Sequence, residues 1–225
     1  MKMKEIAWKF LLDNNIDDFR INLDEALDLV KRNGWRIFSY LEQPELLTAL
    51  GVEEFAKNHE AFTIVHNGEY IIFYKDELSY NEKIFVIMHE VGHIVGKHTY
   101  NHCVVGHSNA MGEINLQEQE ANLFACEVLA PSCILKRLHI ETIEKLKKMK
   151  LLPEQYIPSF LIKILDSSDE QENDYEKKIL KKYRTFIHTY QLRRWKHQLY
   201  KILGNRLFIM LVLILILLMV NERFF

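Results

Sequence analysis

The sequence predicts an α+β fold, a small antiparallel or mixed sheet packed on helices. Three observations predict it. Two apolar runs in AFTIVHNGEYIIFYK flank Asn67-Gly68, a pair that takes positive φ at low cost, so they form a hairpin with a type I′ turn. Residues 35–40, WRIFSY, are rich in aromatic and β-branched types and read as a further strand. On either side, apolar residues recur at helical spacing.

The elements follow in order. Residues 1–20 form an amphipathic helix with Trp8, Phe10, Leu11 and Leu12 as its apolar points. INLDEALDLVKRNG is a second helix, capped by Asp24 and ended by Gly34. Pro44 opens the run PELLTALGVEEFAKN, since proline suits a first helical turn. After the hairpin, Ser79 or Asn81 caps a helix that runs through KIFVIMHEVGHIVGKH. A loop over residues 99–112 ends near Gly112. NLQEQEANLFACEVLA is helical and stops at Pro131, which lacks an amide hydrogen. Residues 134–165 are helical, with breaks near Pro153 and Pro158.

The net charge of −2 over 225 residues conceals two unlike parts. Residues 1–174 hold 18 basic and 29 acidic residues, and residues 175–225 hold 11 and 2. A main domain of net −11 is poorly suited to gripping nucleic-acid phosphates, so direct nucleic-acid binding is not expected. The organisation predicted is a domain over 1–165, an acidic linker DSSDEQEND over 166–174, a basic helix over 175–206, and a hydrophobic C-terminal segment over 207–220. Cys103, Cys126 and Cys133 form no CxxC, and the N-terminus has no long apolar core, which together predict free thiols in a reducing cytosol.

His89-Glu90-Val91-Gly92-His93 is the pattern that carries chemistry. On a helix, positions i and i+4 share a face, so both imidazoles reach one ion. The Glu at i+1 then lies beside a water that zinc acidifies, and takes its proton during attack on a carbonyl. The helix is strongly apolar over IFVIM, and a buried Glu90 needs a partner of this kind. A catalytic zinc usually has three protein ligands. A continuing HxxGxxH scheme matches Gly96 but meets Thr99, with His98 one residue early. The favoured alternative takes Glu118 from the next helix, with Asn122 one turn later hydrogen-bonding a ligand histidine. Glu120 is the rival ligand, on another face of that helix.

HEVGHIVGKH followed by EQEANLFACEVLAP resembles the ImmA/IrrE family of zinc metallopeptidases. The matching positions are His89, Glu90, His93, Glu118, Ala121, Asn122, Phe124, Ala125, Leu129 and Pro131, with Ala130 where methionine is common. The resemblance spans about residues 20–135 and does not reach the tail. It implies a zincin-like helix with zinc on His89, His93 and Glu118, and Glu90 as the catalytic base; manganese also suits these donors. It further implies an endopeptidase that cleaves a helix-turn-helix transcriptional repressor in mobile-element or stress regulation. The alternatives are a non-catalytic zinc-containing module that sequesters a regulator, and a membrane-tethered signalling protein.

Other features read more plainly. His98, His102, Cys103 and His107 form a polar loop rather than a second metal site. Cys126 and Cys133 pack, His188 and His197 face solvent, and Tyr70, Tyr74 and Tyr100 serve packing rather than an oxyanion. Residues 207–220, LFIMLVLILILLMV, are fourteen apolar residues preceded by ten basic ones between Lys177 and Arg206. That pattern predicts a cytoplasmic catalytic domain tethered to the inner face of the cell membrane, the competing reading being a helix buried in the domain or a dimer.

Overall fold

The computed structural model describes residues 2–98, 111–166 and 173–221, with side chains left undescribed at 111–115, 205–209 and 211–221. The chain divides into two compact units, Met1–Tyr183 and Arg184–Phe225. In the first unit the order is α1 (Met3–Asp13), α2 (Leu23–Arg32), β1 (Arg36–Ser39), α3 (Pro44–Leu50), α4 (Glu53–Asn58), β2 (Ala61–His66) and β3 (Glu69–Tyr74). Then come α5 (Tyr80–Val95), α6 (Met111–Leu129), α7 (Ser132–Arg137), α8 (Ile143–Met149), a 3₁₀ turn (Glu154–Tyr156), α9 (Ile157–Asp166) and α10 (Asp174–Lys182). The fold is α+β, with one mixed three-stranded sheet among the described residues.

The sheet order is β1-β3-β2, with β1 parallel and β2 antiparallel to the central β3. The hairpin turns on Asn67 at φ 52° and Gly68 at φ 81°, the left-handed pair a type I′ turn requires. Strand alternation gives the sheet two different faces. Phe62, Ile64, Ile71 and Phe73 share one face and pack against Leu47, Val52 and Ala56 of the α3–α4 region. The pair Thr63 and Ile72 lies between them in register, hence on the other face.

Several boundaries differ from the sequence reading. The N-cap of α2 is Asn22 rather than Asp24: Asn22 is extended, and its side chain accepts from the Glu25 amide at 2.9 Å. The run from Pro44 to Asn58 is two helices, because Gly51 adopts φ 67° and closes the first. Residues 134–165 break at His139 and Lys150, both left-handed, as well as at Pro153. Pro158 starts no break; it sits in the first turn of α9, where its missing amide hydrogen costs nothing. Gly112 lies inside α6 rather than before it. The basic stretch 175–206 covers two helices: α10 stops at Tyr183 and α11 (Arg184–Asn221) begins after it.

The long helices hold the core together. Phe10 of α1 meets Phe124 of α6 edge to face, with ring centres 5.5 Å apart. Trp8 Nε1 donates to the buried Glu127 carboxylate at 2.9 Å, and the Ser132 amide donates to the same oxygen at 2.9 Å. Burial pushes the Glu127 pKa up to about 7 despite these hydrogen bonds. α10 packs on α1 and α7, and the Tyr183 hydroxyl donates to the Ile16 carbonyl at 2.7 Å. Cys126 and Cys133 are free and buried, and burial raises both thiols well above their ordinary range.

The second unit is the helix α11, with exposed Trp195, Tyr200 and Leu203. His188 and His197 are exposed on it. Among the described residues, no helix is long and apolar enough to cross a membrane. In the 207–220 segment, for which membrane association was expected, Met210 is exposed and the other side chains lie outside the described residues.

Candidate metal centre

α5 presents the HExxH residues. A capping box starts the helix: the Ser79 side chain takes the third backbone amide, and Glu82 takes the Ser79 amide at 3.0 Å. One flank of α5 then packs on α6 so closely that a Cβ on Gly92 would stand 3.1 Å from both Cα and O of Ala121. This near-contact of backbones brings residues of α6 within reach of the α5 histidines.

Three side chains converge. His89, His93 and Glu118 each offer a ligand atom, and these atoms lie within 4.8 Å of one another. His89 Nε2 is 3.2 Å from Glu118 Oε2, His93 Nε2 is 3.2 Å from Glu118 Oε1, and the two Nε2 atoms are 3.0 Å apart. A tetrahedral ion with bonds of ~2.0–2.1 Å sets its ligand atoms roughly 3.3 Å apart, so these three edges suit such an ion.

The hydrogen-bond pattern fits a cation as well. His89 Nδ1 donates to Asn122 Oδ1 at 2.9 Å, which turns the Nε2 lone pair inward. Burial by itself would lower the His89 pKa, yet Glu118, Glu90 and Asn122 raise it. Burial would likewise raise Glu118, yet the two imidazoles hold its carboxyl well below the usual carboxylate range. Both shifts describe a cluster that favours positive charge at its centre. The residues present therefore fit a divalent metal.

Glu90 lies beside this cluster and is 5 % exposed. Thr63 Oγ1, on the sheet face opposite the α3–α4 core, donates to Glu90 Oε2 at 2.7 Å. The sequence reading missed Thr63, although a hydroxyl at an inward-facing position of an apolar strand was the available signal. It also missed Tyr156, whose ring stacks on Phe85 at 3.9 Å, while Phe85 lies 6.5 Å from His89. Burial first, then the charges of Glu60, Cys126 and Glu118, raise the Tyr156 phenol. Tyr156, Leu123, Phe160, Asn122 and Lys163 line a cavity of about 150 Å³ next to the Asn122–His89 pair.

The remaining sequence candidates sort as follows. Glu120 faces away from the three ligands and meets His98 instead, at 2.9 Å. His98 is not an element of a polar loop: it is buried, and burial and then the neighbouring His93 lower its pKa. Tyr70 packs edge-on against Trp35 at 6.5 Å, and Tyr74 is buried on β3. Tyr100, His102, Cys103 and His107 lie outside the described residues.

Neither the curated proteins nor the solved structures give a match to the chain. A family model does match, over residues 46–156, and it spans the hairpin, both metal-bearing helices and Tyr156. It starts later and ends later than the stretch over which the sequence resembled ImmA/IrrE. The matched family is Peptidase_M78, and residues 46–156 are similar to its IrrE N-terminal-like domain.

Proposed function

We propose that this protein is a zinc-dependent endopeptidase in which His89, His93 and Glu118 hold the metal and Glu90 is the general base. The observation that carries the reading is the convergence of three ligand atoms next to a buried carboxylate that is aimed by Thr63. When bound, the metal supplies Lewis acidity toward a carbonyl and lowers the pKa of a water; manganese suits the same donors. Glu90 accepts the proton of the attacking water and returns it to the departing amine. Asn122 fixes the tautomer of His89. Among the described residues β2 is an edge of the sheet, and an extended peptide can add to it as a further strand, which brings the scissile bond past Thr63 and Glu90.

The resemblance to ImmA/IrrE supports a helix-turn-helix transcriptional repressor as the substrate. Glu90→Gln tests the mechanism: zinc binding persists, and cleavage of a co-encoded repressor of that type falls by about 10²–10⁴. Cleavage at the wild-type rate would remove Glu90 from the base role. The same reading places the domain at the inner face of a membrane through 207–220, on the strength of that apolar run and its basic approach. Flotation with anionic vesicles tests this; a chain that stays at the bottom of the gradient overturns it.

A further inference from the structure

His93 is engaged on both sides of its ring. Nε2 faces Glu118 and His89, and Nδ1 stands 3.2 Å from Nδ1 of His98. The other nitrogen of His98, Nε2, stands 2.9 Å from Glu120 Oε2. A carboxylate oxygen only accepts, so His98 Nε2 carries a hydrogen and donates it. With one hydrogen per ring, His98 Nδ1 has a free lone pair and accepts from His93 Nδ1–H. His93 Nε2 is then left bare on the side of Glu118. Asn122 does the same for His89 by a shorter route.

The backbone is built to make this contact. α5 ends in a Schellman turn: the His98 amide donates to the His93 carbonyl at 2.9 Å, and the Lys97 amide to the Ile94 carbonyl at 3.1 Å. Lys97 takes the left-handed position of that turn, with φ 58°. The chain thus folds back and lays the His98 ring under His93, where it is 6 % exposed. Gly96 leaves the room. Its φ of −73° is open to any residue, but a Cβ there would stand 2.7 Å from His98 Nε2 and 2.8 Å from its Cε1. Space, rather than backbone conformation, calls for glycine.

We propose that His98, oriented by Glu120, is a positioning residue for the ligand His93, accepting its Nδ1 hydrogen and so keeping the Nε2 lone pair on the metal. The proposal rests on the metal-site reading above. Groups that orient a ligand histidine typically change metal affinity 10–100-fold when removed.

The test is zinc affinity of the full chain, measured by competition with a chromogenic chelator, with circular dichroism of the metal-free protein as the folding check. His98→Leu fills the space without an acceptor, and its affinity falls about tenfold or more. His98→Asn puts an acceptor oxygen near the lost Nδ1 and restores most of that loss. Glu120→Ala, at a half-exposed carboxylate, weakens binding by a smaller factor and adds nothing in the His98→Leu background. Gly96→Ala pushes the ring aside and weakens binding in the same direction. Wild-type affinity in His98→Leu overturns the proposal, as does equal loss in the Leu and Asn variants. Should the His98 variants fail to fold, Glu120→Ala decides alone, and unchanged affinity overturns it. A wild-type chain that binds no zinc removes the metal site itself, and the proposal with it.

Discussion

Thr63 on β2 and Glu90 on α5 are joined by a 2.7 Å hydrogen bond between groups that are almost fully buried. The sheet thereby sets the direction of the carboxylate that the HExxH pattern supplies. Thr63→Val keeps the shape and removes the donor. We expect kcat for peptide cleavage to fall about 10–100-fold, zinc affinity to hold, and Thr63→Ser to recover the rate. Steady-state kinetics beside a zinc titration would read this, and an unchanged kcat in the valine variant would contradict it.

Glu127 gives stability a pH dependence of definite sign. Its folded pKa of about 7 lies above the usual 4.5, so between these values the folded state binds more protons than the unfolded one. Its favourable contribution is complete below pH ~4.5 and is lost as pH rises through 7, a swing of roughly 3 kcal/mol. Melting temperature should fall between pH 5 and 8 in the wild type, and fall distinctly less in Glu127→Gln. Parallel curves for the two proteins would refute the assignment.

Gly92 governs the approach of α5 to α6. Alanine in mid-helix normally gains up to ~1 kcal/mol over glycine. Here the added carbon meets two backbone atoms of Ala121 and Cβ of Phe124, all at 3.1 Å. We expect Gly92→Ala to destabilise by about 1–3 kcal/mol, and zinc affinity to drop as Glu118 is displaced. Thermal melts and chelator competition measure the two effects; a stabilised variant would show that α6 yields freely.

The boundary between the units predicts two different truncations. A chain ending at Tyr183 retains α10 and should keep its melting temperature and zinc affinity. One ending at Asn173 loses the buried Ile179 and Tyr183, at roughly 1.5–3 kcal/mol for each side chain. Similar melting of the two products would mean that α10 contributes nothing to the core.

The parts of the fold legible in sequence were those with strong local signals. Asn67-Gly68 admits few conformations, and Pro131 ends a helix by lacking a donor. The breaks at His139 and Lys150 were illegible, because nothing local marks a histidine or a lysine for positive φ; each takes the left-handed position that closes a helix, its amide bonded back to the Lys136 or Lys147 carbonyl. At the site, His89, Glu90 and His93 were readable as spacing on one helix, and Glu118 with Asn122 as spacing on a second. Thr63 and His98 were not. Thr63 arrives from a strand 27 residues away. His98 was read as part of a polar loop, whereas α5 ends at Val95 and the chain doubles back to bury it.

That early end of α5 has an electrostatic consequence. Every peptide dipole of the helix points its negative pole toward the C-terminal turn, which carries about half an elementary charge. His93 occupies that last turn, and His89 lies one turn before it. A cation held between them therefore sits at the negative pole of sixteen aligned residues, in a field that draws positive charge inward before any side chain has touched it.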